Sequence, residues 1–444
     1  MNGPPRPAFA GFLLAVSLAG CMPRPAIQEP VSGLERMRGQ IHIRPDAALS
    51  AGAARVEITP PVGTPLAGYS KRHGKPSAGI RDPLYVRTLA LSDGEDTLLL
   101  ISADLLVFPQ PLAERILRRI SEEHSVPRQA IILAATHTHS GAGSIAPGFL
   151  HEQVFGRYRS EVEEGIFSRI LWSVRQALEN RKTVQWGVAA DDGLLRGFVE
   201  NRAVPGGPVD PSVSLLLFDS PQGGLSAAVV TAAAHPTLLD SRDMRMSADY
   251  PGELCRRMEE AHPGAICLFF NGAAGDERPA DAIGATGEER VQRFGGLLAE
   301  AVTALESRAA MHPTGNLAAW GGWFKLPTLQ IRLGPVPIPA SIGRMMRPTE
   351  AFLSMAALDG ILLIPLPAEL TTELGTGLKT KLAGREMRPL LLGYANGYLG
   401  YAVTPQQYAA GSYEASMTWY GADFGQLLEN QLLLLAGLYK EAAR

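Results

Sequence analysis

The sequence predicts an α/β fold: one large domain with a mixed β-sheet core flanked by helices. Two observations carry this expectation. Short apolar runs of strand length alternate along the chain with longer stretches of helical spacing, an order that builds an α/β sandwich. The chemically suggestive residues stand where the apolar runs end, and in open α/β sheets ligands collect at the carboxyl ends of strands. The 444 residues are 46% hydrophobic and 19% charged, with a formal net charge of −3. That composition suits one large or two medium domains. With no lysine- or arginine-rich run, it offers nothing to a nucleic-acid partner. No segment repeats at a fixed period.

The first 21 residues, "MNGPPRPAFAGFLLAVSLAGC", carry one early cation at Arg6, an apolar stretch from Ala8 to Leu18 and small residues before Cys21. The stretch is too short for a permanent transmembrane helix of about 20 residues, and its layout is that of a secretory signal. "LAGC" resembles a bacterial lipobox, in which the cysteine becomes the lipidated first residue. Met22 follows instead of the aspartate that retains such proteins in the inner membrane. The expected location is therefore the bacterial cell envelope, lipid-anchored at the outer membrane, facing the periplasm or the surface. Residues 1–21 read as signal peptide, 22–50 as a polar, proline-containing tether, and 51–444 as the functional domain.

Within that domain "ARVEITPP" is a short alternating strand stopped by prolines. "YVRTLALSD" and "TLLLISADLL" form a hairpin about "DGED". "PLAERILRRISEEH" is amphipathic and leads into the strand "AIILAATHTH". A long helix is expected over roughly 152–181, with Val162, Ile166, Ile170, Val174 and Leu178 on its apolar face. Strands come next at "VQWGVAA", "VSLLLFDS", "LSAAVVTAAAH", "AICLFFN" and "LLIPLP", and helices over 249–261, 286–307, 371–382 and 422–441. The segment 312–348, with Met345 and Met346, carries no functional pattern. Cys255 and Cys267 are the remaining cysteines. They suit either a disulfide in an oxidising compartment or two buried thiols.

His137 and His139 close one strand at i and i+2, which in extended backbone puts both imidazoles on one face. Such a pair can hold a metal, pass protons or cap a loop. His235 leaves a second strand just before Pro236, and "NGAAGDERP" leaves a third. Glu369 comes after "ILLIPLP" and precedes a helix, where it serves either as a ligand or as a carboxylate matched to the helix dipole. "NGYLGYAVTPQQYAAGSYEAS" offers Tyr398, Tyr401, Tyr408 and Tyr413, which can pack or donate to a developing oxyanion. No G-x-S-x-G elbow, Walker loop or HExxH helix is present. Imidazoles, a carboxylate and phenols are the donor types that suit zinc.

The ordered set "ARVEITPP", "ISADLL", "ATHTHSGAG", "AAAHPT", "SADYPG", "NGAAGD", "LPAELTTELG" and "GYANGYLGYAVTPQQYAAGSYEAS" resembles the catalytic domain of the neutral/alkaline, non-lysosomal ceramidase family over about residues 53–425. The resemblance implies a ceramidase-like catalytic domain and a zinc-dependent amidase that frees a fatty acid from an N-acyl sphingoid base. By motif it implies His137, His235, Glu369 and Tyr401 as zinc ligands. It further implies His139 for proton transfer or orientation, Tyr413 on the tetrahedral oxyanion, and Arg202 near the substrate head group. Asp276 would orient the segment after "NGAAG".

Two departures stand out. The family pattern "GDxSP" places a nucleophilic serine where this chain has Arg278, in "GDERP". Arginine stays protonated and cannot attack, so zinc-activated water becomes the expected nucleophile, with Arg278 free to pair with an anionic substrate group. The family's immunoglobulin-like C-terminal domain has no counterpart in the sequence. The expected function is hydrolysis of an amide, of ceramide, another N-acyl lipid or a small amide, by a Zn2+ enzyme with no protein partner implied. The alternatives are a non-catalytic lipoprotein that binds a lipid or glycan with the same fold, and a zinc hydrolase acting on a different ester or amide.

Overall fold

The computed structural model describes residues 33–44, 47–330, 332–333, 336–337 and 348–443. The expected signal peptide, Cys21 and the start of the tether lie outside the described residues, as do Met345 and Met346. The described chain opens with a short helix, α1 (Leu34–Arg38). Met37 and Ile41 are buried in one hydrophobic cluster and Leu49 in another. Within the expected tether, then, Met37, Ile41 and Leu49 pack into the domain's core.

The same order of elements, three strands, a helix and a fourth strand, recurs three times. In the first unit β1 (Ser50–Glu57), β2 (Tyr85–Ser92) and β3 (Thr97–Ala103) run antiparallel. The β2–β3 turn is closed by Asp93, whose Oδ1 accepts from the amides of Glu95 and Asp96 at 3.2 and 2.8 Å. Helix α2 (Gln110–His124) then returns the chain to β4 (Ile131–Ala135), parallel to β3. Leu112, Ile116 and Ile120 give α2 its buried stripe. The helix expected over 152–181 is broken at Gly156, which has φ 70° and where a Cβ would lie 2.5 Å from that of Pro65. Helical backbone resumes as α3 (Ser160–Glu179), buried through Val162, Ile166, Ile170 and Val174.

The second unit repeats the pattern with antiparallel β5 (Gln185–Asp191), β6 (Val213–Asp219) and β7 (Leu225–Ala232), then α4 (Asp249–Ala261) and a parallel β8 (Ile266–Asn271). Helix α5 (Gly287–Glu306) comes next. The third unit has antiparallel β9 (Leu317–Lys325), β10 (Glu350–Leu358) and β11 (Ile361–Pro365), then α6 (Thr372–Ala383) and a parallel β12 (Arg388–Leu392). Helix α7 (Phe424–Ala442) ends the described chain.

The α/β expectation holds, although the core contains three principal sheets instead of one. Strand alternation shows how they share it. Leu216 and Phe218 of β6, Ala356 and Leu358 of β10, and Ile361 and Leu363 of β11 all enter one cluster with β1–β4. Their neighbours turn the other way: Leu215 and Leu217 pack with α4 and α5, and Leu362 and Ile364 with α6 and α7. Each sheet thus covers a common centre with one face and is roofed on the other. Cys255 and Cys267 are buried free thiols. Among the described residues no helix is long and apolar enough to cross a membrane.

The third unit is tied to α7 by Trp320, which is fully buried, donates Nε1–H to the Leu435 carbonyl at 3.0 Å and stacks on Tyr439 at 5.4 Å. Trp320→Ala should lower unfolding free energy by about 3–5 kcal/mol, measured as a shift of the urea midpoint.

Candidate metal centre

The carboxyl ends of the parallel strand pairs meet at one place. Leu133 of β4 donates its amide to Asn396 Oδ1 at 2.9 Å, and the Gly393 amide after β12 donates to the Asn271 carbonyl at 2.7 Å. Into this junction each unit sends a loop. His137 leaves β4, His235 leaves β7, and Glu369 lies just beyond β11.

Their geometry is that of a ligand set. His137 Nε2 lies 3.1 Å from His235 Nε2, and Glu369 Oε2 lies 3.4 Å from the first and 3.7 Å from the second. Ligand atoms at tetrahedral zinc, about 2.0–2.2 Å from the metal, stand roughly 3.3–3.6 Å apart. The other ring nitrogens fix the tautomers. His137 Nδ1 is 2.8 Å from the Leu106 carbonyl and His235 Nδ1 is 2.8 Å from the Ala274 carbonyl. A carbonyl only accepts, so in the neutral rings both Nδ1 atoms carry the proton and both Nε2 atoms present lone pairs. Burial drives the His235 pKa well below its ordinary value, with Arg202 and the neighbouring histidines adding to the effect. Glu369 is buried too, which alone would raise its pKa. His137 and the Tyr398 and Tyr401 hydroxyls outweigh burial and hold it below the usual carboxylate value. Glu369 Oε2 has no hydrogen-bond partner. Two imidazole lone pairs and a carboxylate oxygen facing one another away from water could hold a metal cation, and the donor set fits zinc.

Local backbone explains each placement. The two-residue strands Glu369–Leu370 and Tyr401–Ala402 pair in parallel, with Glu369 directly opposite Tyr401. His137 is not in extended backbone: its φ is 70°, a left-handed value that non-glycine residues rarely adopt. The same-face argument for His137 and His139 therefore fails, because β4 ends at Ala135 and the two rings converge through a loop. They stand at a centroid distance of 5.0 Å, edge to face.

His139 belongs with this cluster, since ring nitrogens of His137, His139 and His235 all lie within 4.8 Å of one another. Neither of its nitrogens has a hydrogen-bond partner. Burial, then the neighbouring His137, Arg202 and Arg72, push its pKa well below the ordinary value, leaving a neutral ring with an open lone pair. The Tyr401 hydroxyl is buried beside Glu369 and accepts from Arg202 Nη2 at 2.9 Å. Arg202 also reaches the Gly275 carbonyl at 2.7 Å and Glu414 at 3.1 Å. Tyr413 stands at the rim, 61% exposed, its ring 5.9 Å from that of Tyr401.

Asp276 does not face the lone pairs. Its Oδ1 accepts from the Thr372 amide at 2.7 Å and hydroxyl at 2.8 Å, its Oδ2 from Asn201 at 3.1 Å, and its carbonyl from the Arg202 amide at 2.8 Å. It fixes the start of α6, just after Glu369, to the short strand Val199–Asn201, which Arg202 follows. Arg278 departs from expectation. It lies on the strand Glu277–Pro279, whose neighbours are buried, and the two-residue pleat turns it outward to Glu200 at 2.6 Å and Asp281 at 2.7 Å. A guanidinium held by two carboxylates is not a free anion partner.

Residues 49–279 match the family model described as neutral/alkaline non-lysosomal ceramidase, N-terminal. The chain belongs to this family. The neutral ceramidase of Mycobacterium tuberculosis is 24% identical, with 80% of this chain and 71% of the relative aligned. That of Pseudomonas aeruginosa is 22% identical, over 80% and 67%. Among solved structures, neutral ceramidase from P. aeruginosa superposes with a TM-score of 0.77 at 19% identity, over 90% of this chain and 75% of that one. A structure of ceramidase complexed with C2 gives 0.78 at 19% identity, over 89% and 76%. These structural matches support the ceramidase fold.

Two further tyrosines touch the cluster. Tyr398, one of four tyrosines the sequence offers without choosing among them, donates its hydroxyl to Glu369 Oε1; the other, Tyr394, is not singled out by the sequence. Tyr394 stacks on the His137 ring at 3.7 Å and 11°. The tyrosine-rich string "GYANGYLGY" is the available signal, but it does not say which phenol points inward. Loss of one ligand should empty the centre. His137→Ala is expected to reduce bound metal from about one per chain to less than a tenth of that, as read by elemental analysis of purified protein.

Proposed function

We propose that this ceramidase-family chain is a zinc-dependent amidohydrolase of the bacterial cell envelope that cleaves the amide of an N-acyl lipid, with ceramide the first substrate to test. The observation that carries the reading is the convergence of His137 Nε2, His235 Nε2 and Glu369 Oε2 within 3.1–3.7 Å. The relatives' name, neutral ceramidase, supplies the substrate class.

A zinc ion held by His137, His235, Glu369 and Tyr401 would supply a Lewis acid for the amide carbonyl and acidify water at the site. The chain's own groups do the rest. Neutral His139 takes the proton of the attacking water and returns it to the amine nitrogen as the C–N bond breaks. Tyr413, free at the rim, donates its hydroxyl to the oxyanion that forms on the former carbonyl. Burial and Glu369 push the Tyr401 pKa well above its ordinary value, and Arg202, placing its positive charge on the Tyr401 oxygen, partly offsets them. With Arg278 occupied at the surface, the nucleophile is water. The products are a fatty acid and a free amine.

Purified enzyme should hydrolyse an N-acyl sphingoid base and lose that activity to a chelator. Glu369→Gln should lower kcat/KM more than about 100-fold, beyond the usual effect of an outer-shell partner. Turnover that survives either treatment excludes the zinc mechanism. Arg278→Ser should change kcat/KM by less than about threefold, because an exposed ion pair contributes little.

The replacement of serine by Arg278 favours one second reading, a pocket that binds a lipid without cleaving it. Amide turnover that disappears in Glu369→Gln rejects it. For localisation, we propose lipidation at Cys21. Wild-type protein should then fractionate with membranes and Cys21→Ser should not; equal fractionation would refute the anchor.

A further inference from the structure

His137 and His235 are aimed by hydrogen bonds from their Nδ1 atoms. His139, the third imidazole, has no such bond on either nitrogen. Something else must hold its ring, and the segment Gly68–Arg72 surrounds it. Gly68 has φ 108°, and a Cβ there would lie 2.7 Å from His139 Nδ1. The Tyr69 ring packs against the imidazole at 4.9 Å, and its hydroxyl donates to the Leu239 carbonyl at 3.1 Å.

Arg72 completes the enclosure. Only 2% of it is exposed, and its guanidinium stitches three loops together. Nη1 donates to the Ala67 carbonyl at 3.2 Å and to the His139 carbonyl itself. Nη2 donates to the Ser140 hydroxyl at 3.4 Å and to the carbonyls of Asp240 and Asp243 at 3.3 and 2.9 Å. Its carbon centre sits 4.8 Å over the Tyr69 ring. These five acceptors come from the loop after β1, the loop carrying His139 and the loop beyond His235. None is a carboxylate. A buried cation spread over backbone carbonyls fixes loops to one another, because only the planar fork of arginine reaches several acceptors at once.

We propose that Arg72 is the positioning residue for His139. It locks the His139 carbonyl while Gly68 and Tyr69 bound the ring, so the imidazole keeps its lone pair turned to the metal centre without a hydrogen bond of its own. The inference rests on the zinc amidase reading for its catalytic consequence, but the clamp is measurable without turnover.

The experiment uses full-length protein with selectively labelled histidine rings and the variants Arg72→Ala and Arg72→Lys. Nine histidines are present, and His139→Gln assigns the relevant signal. In Arg72→Ala the His139 resonance should broaden or split while those of His137 and His235 hold, with metal content unchanged. On an amide substrate kcat should fall about 10–100-fold with KM within about threefold. Millimolar guanidinium chloride should restore much of the loss in Arg72→Ala and none in Arg72→Lys. An unchanged His139 resonance overturns the proposal. So does a loss of metal in step with activity, or a defect that guanidinium leaves untouched, since each makes Arg72 a support of the fold as a whole. If wild type cleaves no amide, the function reading fails while the resonance and metal measurements still judge the clamp.

Discussion

Two imidazole nitrogens held 3.1 Å apart with their lone pairs facing are the constraint on which the rest of this site depends. Left alone, that arrangement repels and would open or take up a proton. The backbone behind each ring prevents opening. His137 lies beyond β4 and is aimed by the Leu106 carbonyl, which lies beyond β3. His235 lies beyond β7 and is aimed by the Ala274 carbonyl, which lies beyond β8. In both units, therefore, one strand of the parallel pair supplies the imidazole and its neighbour supplies the carbonyl that fixes the tautomer. The third unit contributes by the same device in another form. Glu369 comes after β11, Tyr401 after β12, and the two residues pair across a short parallel ladder.

This explains why the threefold recurrence of three strands, a helix and a parallel strand matters to chemistry. A parallel pair brings two carboxyl ends side by side, and the loops that leave them lie outside the main ladders. Three such pairs around one core place three sets of these loops together. Rigid sheets then fix polar groups that water would otherwise scatter, and the cost of burying them falls on the packing of all three faces.

Much of this is legible in the residues alone, and the failures have physical causes. The strand ends at "AATHTHSG" and "TAAAHPT" and the helix over 249–261 are legible because apolar period and a sharp polar boundary coincide there. The third sheet is mostly hidden. Glycines interrupt β9 in "LAAWGGWFK", and "EAFLSMAAL" of β10 has the small residues of either class. Arg278 is placed by its letter in a motif, and a motif gives position without face. The His137–His139 spacing suggests an extended geometry that a φ of 70° abolishes. Arg72 leaves no trace, because four of its five partners are main-chain carbonyls, which every sequence has everywhere.

The face of residue 278 also bears on the nucleophile. Glu277 and Pro279 are buried on either side of it, and Arg278 pairs across the short ladder with Glu200. On this backbone the Arg278 guanidinium ends in an ion-pair surface with Glu200 and Asp281. Under the proposed zinc mechanism attack comes from water, and water needs a base near the metal site with an unshared nitrogen. Among the three imidazoles, two have committed one nitrogen to a carbonyl and turned the other to the shared site. His139 alone has both unbonded, and burial keeps it neutral. In that reading Arg278 and the unbonded His139 fit together: the proton would come from water, and His139 is placed to receive it.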